Sequence, residues 1–440
     1  MTRGIACALV CGLILAGCSG GWFGASEEDA PLPGERIPIM TLDQTLEPDA
    51  RIADLEVRLP PPYVNTAWDQ AGGTPSHALY HVALDEGPRV AWRAGIGKGS
   101  SSDGWILAQP LVVEDRVYTM DARARISAFG ADRGKRLWEV DLEIDEEDEG
   151  YFGGGIAYDS GRLYVTTGFG MAFALNAEDG QTIWSQRLPG PSRAAPTVSG
   201  GRVFAITVDN QAVALAADDG RRIWNHNGIE ETSVLLGAAS AAVSGSTVVV
   251  PYSSGEIFSL LVENGRMLWS EALSAINPID PIADLAHIRG MPVIDRGAVL
   301  AISHSGRMIA VDLRRGARAW DIDLGGVQMP WVAGEFIFVV TNEARVVCLT
   351  RRDGRIRWVR QLPRFEDPED ELGLIQWFGP VLAGDRLILA GTNSVAVSIS
   401  PYTGEILGEL DLPGVPAVSP VVAGNTLYFL TESATLIALR

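Results

Sequence analysis

From about residue 90 to the C-terminus, apolar and polar positions alternate in short runs broken by Gly, Asn and Asp. Such runs are half-buried strands joined by tight turns, not helices. One string recurs: Ile126-Ser-Ala-Phe-Gly-Ala-Asp-Arg-Gly134-Lys-Arg-Leu-Trp138, then Phe173-Ala-Leu-Asn-Ala-Glu-Asp-Gly180-Gln-Thr-Ile-Trp184, then Val213-Ala-Leu-Ala-Ala-Asp-Asp-Gly220-Arg-Arg-Ile-Trp224. Further copies end in Trp269, Trp320 and Trp358, and a seventh, running through Gly404 to Gly408, keeps the turn but loses the tryptophan. Each copy reads as a hairpin: a strand, a turn with Gly where a positive φ is needed, and a second strand carrying Trp four residues later. A second hairpin precedes each one, as in Pro110-Leu-Val-Val-Glu-Asp-Arg-Val-Tyr118, with similar strings starting at Gly155, Pro196, Ala241, Pro292, Pro330, Pro380 and Pro420.

Eight upstream hairpins thus face seven complete downstream ones, and the last repeat stops at Arg440, where its turn and Trp strand should follow. The missing strand lies at the other end, in Val90-Ala91-Trp92-Arg93. The predicted fold is all-β: an eight-bladed β-propeller of four-stranded antiparallel blades over residues 63–440, its ring closed by the Trp92 strand completing the last blade. Closure leaves no long unpaired edge, and the repeat spacing of about 45 residues is the length of one blade. Spacing varies mainly in the links from the outer strand of one blade to the inner strand of the next, which are long at 139–154, 225–240, 270–291 and 359–379. Links of this kind share one face of a propeller, which becomes the candidate partner face.

Residues 1–17 read as a secretory signal, with Arg3 at the positive end, an apolar stretch from Ile5 to Ala16, and Leu15-Ala16-Gly17 leading to Cys18. The Leu-Ala-Gly-Cys string resembles the bacterial lipobox, which implies lipidation of Cys18 as the first mature residue. Ser19 at the next position implies sorting to the outer membrane. Residues 18–62 are rich in Pro, Glu, Asp and Gly and read as a flexible tether. With Cys7 and Cys11 leaving in the signal, only Cys18 and Cys348 remain, so no internal disulfide is expected. The formal net charge of −20 opposes sequence-independent binding to nucleic acid.

Candidate chemistry is sparse. One Trp per blade at a fixed position is first a packing device. The repeat resembles that of the pyrroloquinoline-quinone dehydrogenases, also eight-bladed, but the adjacent cysteines that resemblance would imply are missing. No cofactor is expected. Seven carboxylates fall within 141–149 and five within 366–371, without calcium-loop spacing, so solvated negative loops are expected. His77 and His81 have helical metal-ligand spacing, but Gly72-Gly73 and Pro75 argue against a helix there. The run Gly95-Ile-Gly-Lys98-Gly-Ser100 lacks phosphate-loop spacing, and no nucleophile, base and orienter come together. An enzyme is not expected.

Lipobox, acidic tether, eight blades with this repeat and no catalytic set together resemble the BamB family of outer-membrane β-barrel assembly lipoproteins. The strings Pro33-Gly34-Glu35-Arg36-Ile37 and Trp68-Asp-Gln-Ala-Gly-Gly-Thr-Pro-Ser-His77 are similar to the N-terminal region of its alphaproteobacterial branch. The resemblance implies docking on the periplasmic POTRA domains of BamA in the BAM complex and support for insertion of outer-membrane proteins, whose unfolded chains are further candidate partners. It places the contact on two neighbouring links. On the first, a Leu-x-Leu-Arg-Gly string becomes Ser233-Val234-Leu235-Leu236-Gly237 here, so Leu235 and Gly237 match while Ser233 and Leu236 depart. On the second, an acid-x-acid pair becomes His287 and Arg289. These departures leave open a compensated interface or charge contacts that do not carry over, and leave Leu235 and Leu236 open to a packing role. The apolar link 270–291 suits an interface. A quinoprotein, or another envelope propeller for adhesion or cell-wall contact, stands as the alternative.

Overall fold

The computed structural model describes residues 46–440, apart from 103, 143, 145–153, 193, 232–234 and 274–286. Blade 1 spans residues 111–140, blade 2 154–187, blade 3 197–227, blade 4 242–272, blade 5 293–323, blade 6 331–361 and blade 7 377–411. Blade 8 takes three strands from 421–439 and its outer strand, Val90–Gly95, from the start of the repeat region. That strand runs antiparallel to Thr435–Leu439, with Trp92 opposite Ala438. Arg89 and Arg440 extend the pairing with reciprocal backbone bonds of 2.7 and 2.9 Å. The ring closure expected from the repeat count is therefore made by hydrogen bonds between the two ends of the propeller.

Alternation explains how the strands pack. Second and third strands are buried on both faces, between neighbouring blades, and read as nearly continuous apolar runs such as Phe336–Val340 and Arg345–Thr350. Outer strands such as Thr182–Arg187 bury little besides their tryptophan. That tryptophan joins blade to blade. In seven blades its indole Nε1–H donates to a backbone carbonyl of the next blade at 2.8–3.2 Å, as from Trp92 to Ala131 and from Trp358 to Pro401. The ring lies over the turn glycine of that next blade, so a Cβ on Gly134 would sit 2.3 Å from Trp92, and one on Gly220 2.6 Å from Trp184. Glycine is required there twice, by its positive φ and by the indole.

This coupling accounts for the repeat that lacks tryptophan. Position 408 faces blade 8, whose outer strand arrives from the N-terminal side, so no turn joins its third and outer strands. A tryptophan there would have no glycine to cover; a Cβ on Gly408 meets nothing within 4 Å.

Upstream of the closing strand, residues 65–84 cross one mouth of the central channel and bond to an inner strand or its flank in every blade. Ala67–Trp68 adds a fifth strand to blade 1, pairing with Leu111–Val113. Asp69 accepts from Tyr158 of blade 2 (2.7 Å), and Gln70 exchanges bonds of 2.7 and 2.9 Å with Val198 of blade 3. Pro75 and Ser76 accept from Val243 of blade 4 (2.6 Å) and Ile294 of blade 5 (2.9 Å). Trp331 of blade 6 donates to Tyr80 (2.6 Å), Gly384 of blade 7 to Val82 (2.9 Å), and Asn65 donates to Val422 of blade 8 (3.0 Å). Trp68, Leu79 and Val82 are buried in the core it shares with the ring. The described residues begin still earlier, at Leu46, and residues 49–55 run against blade 6, where Asp49 N–H donates to Ile356 and Arg357 to Leu55.

Candidate functional site at the link end of the channel

The inter-blade links and the turns between second and third strands occupy the channel end opposite the N-terminal segment. They bond to one another there, as from Leu188 to Gly170 (2.7 Å), Gly228 to Asn210 (2.8 Å), Leu273 to Gly255 (2.8 Å) and Leu412 to Ser394 (2.8 Å). The channel is thus a cup. Its cavity, about 120 Å³, is lined by Trp68 and Ala71 of the N-terminal segment and by Trp331, Met291, Phe378 and Val418, and Arg289 is the one charged lining residue among the described residues.

The residues singled out on the two neighbouring links come together beside this cup. Leu235 N–H donates to Nδ1 of His287 at 3.0 Å, which latches the blade 3–4 link to the blade 4–5 link. His287 is buried, and its carbonyl accepts from His304 N–H at 3.0 Å. It is therefore a bracket within the link layer. Leu235 and Leu236 are half-buried and keep part of their surface toward solvent. Arg289 turns back along the first link: a Cβ on Gly237 would lie 3.2 Å from its Nε. Burial pushes its guanidinium pKa below the usual value. Ser233 and Cys18 lie outside the described residues, as does most of the link 270–291 and most of the acidic run 141–149.

The remaining candidates are absorbed by the fold. His77 Nδ1–H donates to the Pro292 carbonyl at 2.6 Å, and burial holds its pKa down to about 4. His81 Nδ1–H donates to Pro60 at 2.8 Å and its Nε2 accepts from Asp385 N–H at 3.0 Å, so both histidines brace the channel segment. Lys98 N–H in the glycine-rich loop donates to Asp121 of its own chain at 2.8 Å. Cys348 is free and buried, with its thiol pKa pushed up by burial. Among the described residues no three His, Cys, Asp or Glu side chains come together to hold a metal.

Two features went unread in the sequence. Beyond the two-residue strand Ala67–Trp68, the channel segment has no strand or helix periodicity, because it meets the remaining blades one or two groups at a time. Its signal was the density of residues fit for burial, Trp68, Leu79, Val82 and Leu84, in a stretch rich in Gly and Pro. Link 359–379, expected as a solvated loop, carries a hairpin in which Phe365–Asp367 pairs with Leu372–Leu374. Its five carboxylates are exposed, as are Leu372 and Leu374.

Comparison with known proteins agrees with this architecture. The family model described as outer membrane protein assembly factor BamB matches residues 122–360. The outer membrane protein assembly factor BamB of Salmonella typhimurium is 31% identical over 361 residues, which cover 80% of this chain and 88% of that protein. The crystal structure of BamB from Moraxella catarrhalis superposes with a TM-score of 0.68 at 18% identity, covering 80% of this chain and 99% of its own. A europium-containing methanol dehydrogenase superposes at 0.65 with 13% identity, covering 83% of this chain and 89% of its own. At that identity the likeness to the dehydrogenase is one of fold, and fold does not carry function. The family match extends over more than half of the sequence, and this chain belongs to the BamB family of outer membrane protein assembly factors.

Proposed function

We propose that this protein is a non-enzymatic scaffold subunit of the outer-membrane β-barrel assembly machinery, held on the periplasmic side of the outer membrane by lipid on Cys18. In this reading it docks on the POTRA domains of BamA through the link end of its channel and supports insertion of outer-membrane proteins. The observation that carries it is the latch between Leu235 and His287, which joins the two links named by the family resemblance into one patch. Leu235 and Leu236 then supply half-exposed apolar contact area, while His287 and Arg289 set the positions of the links behind it.

The test is co-purification with BamA from envelopes. Replacing Leu235 and Leu236 together with Asp should abolish it while leaving thermal unfolding within a few degrees of the parent. Equal recovery would remove the interface from these links. Cys18→Ser should release the protein from the membrane fraction, and retention would refute the lipid anchor.

A further inference from the structure

We propose that the cup at the link end of the channel binds a carboxylate borne on an apolar body, with Arg289 as its anion receptor. Among the described residues Arg289 has no hydrogen-bond or ion-pair partner, and none of the Asp or Glu residues among them lines the cavity with it. A partly buried guanidinium without a counter-charge is costly, and its energy is recovered when an anion enters. Gln328 offers a second donor. Its Oε1 accepts from Ser419 Oγ at 3.2 Å, which leaves its amide N–H groups without a partner among the described residues. The backbone of Gly290, next to Arg289, packs against the Gln328 carbonyl, where a Cβ would be 2.6 Å away. Both residues line the same cavity.

The rest of the lining selects the kind of anion. One cation and a chain of net charge −20 disfavour phosphate and other polyanions. A planar guanidinium matches a planar carboxylate through two parallel hydrogen bonds. Trp331, Phe378, Met329 and Val418 call for an aliphatic or aromatic body beside that carboxylate. The N-terminal segment, with Trp68 in the lining, seals the far end, so the ligand enters from the link end and stops there. Such a carboxylate is carried by a small free acid or by the apolar C-terminal residue of a polypeptide.

The experiment uses the full mature chain with Cys18→Ser and calorimetric titration with N-acetylphenylalanine, its amide, and a hexapeptide ending in Phe with a free or amidated C-terminus. Saturable one-to-one binding of an acid form is expected, with its amide at least tenfold weaker. Arg289→Gln should weaken the acid at least tenfold, and Arg289→Lys, which keeps the charge but loses the planar fork, should restore part of it. Binding of the free acid assigns a small ligand, and binding of the peptide alone assigns a polypeptide end. Equal binding of acid and amide by the parent chain, or none of either at millimolar concentration, overturns the proposal without requiring the variants to fold. Replacing Leu235 and Leu236 with Asp should leave this binding intact, so its outcome and that of the BamA test are independent.

Discussion

The indole of Trp92 lies over Gly134 of blade 1, so close that a Cβ on the glycine would stand 2.3 Å from the ring, while its Nε1–H donates to Ala131 at 2.9 Å. Two residues 42 positions apart in sequence thus make the seam between the last blade and the first. Gly134 also holds φ at +65°. Gly134→Ala should destabilise the protein by about 2–4 kcal/mol, combining backbone strain with overpacking. Gly161→Ala is the control. Its φ is +81° but a Cβ there meets nothing within 4 Å, so about 1 kcal/mol is expected. Equal losses in denaturant titrations would remove the indole from the explanation.

Tryptophan at each blade is useful only where the next blade offers a turn glycine. Trp320→Ala should cost about 3–5 kcal/mol, because it opens a cavity and leaves the Arg351 carbonyl, its partner at 2.9 Å, without its donor. Gly408→Trp, which restores the repeat consensus, should change stability by no more than about 0.5 kcal/mol. Marked stabilisation by that change would contradict the pairing.

Two groups in the channel segment, buried His77 and half-buried Asp69, give opposite pH dependences. Burial holds His77 down to about 4, so as pH falls below 6.5 the unfolded chain takes up a proton that the folded one refuses, and stability drops. Burial, reinforced by the charge of Asp159, holds Asp69 up to about 6, so the folded chain keeps a proton there that the unfolded one releases above its usual 3.8, and stability drops as pH rises toward 6. The two effects oppose each other between about pH 4 and 6. Asp69→Asn should leave the His77 effect alone and make stability climb with pH across that window more steeply than in the parent. Denaturation midpoints at three pH values decide it, and parallel curves would count against the assignment.

Cys348 is fully buried in blade 6, and burial raises its thiol pKa, so the reactive thiolate is scarce in the folded chain. In a Cys18→Ser background, labelling by a thiol reagent should be negligible under native conditions and should follow the unfolding transition in denaturant. Rapid native labelling would reveal a local opening between the strands Phe336–Val340 and Arg345–Thr350.

The repeat made the ring legible because each blade obeys a local rule: alternation for the strands, glycine for the turn, tryptophan for the seam. Counting hairpins against Trp strands was enough to find that Val90–Gly95 completes blade 8, since a four-stranded unit missing one member leaves an edge that must be filled. The channel segment escaped because its partners are spread over eight different blades, one or two groups in each, a pattern that no local period encodes. His287 shows the same limit at the candidate site. Its position in the link was readable, but its burial and its bond to the Leu235 backbone depend on another link 52 residues away.

The amino-acid order by itself determined the strands, their turns, the number of blades and the way the ring closes, because these rest on contacts within a repeat or on a count of repeats. Tertiary structure alone decided that the N-terminal segment seals one end of the channel, that two links latch beside the other, and that Arg289 lines the resulting cup without a partner among the described residues. Those features depend on groups far apart in sequence and brought together by ring closure, where burial sets the cost of each charge and each unmet hydrogen bond.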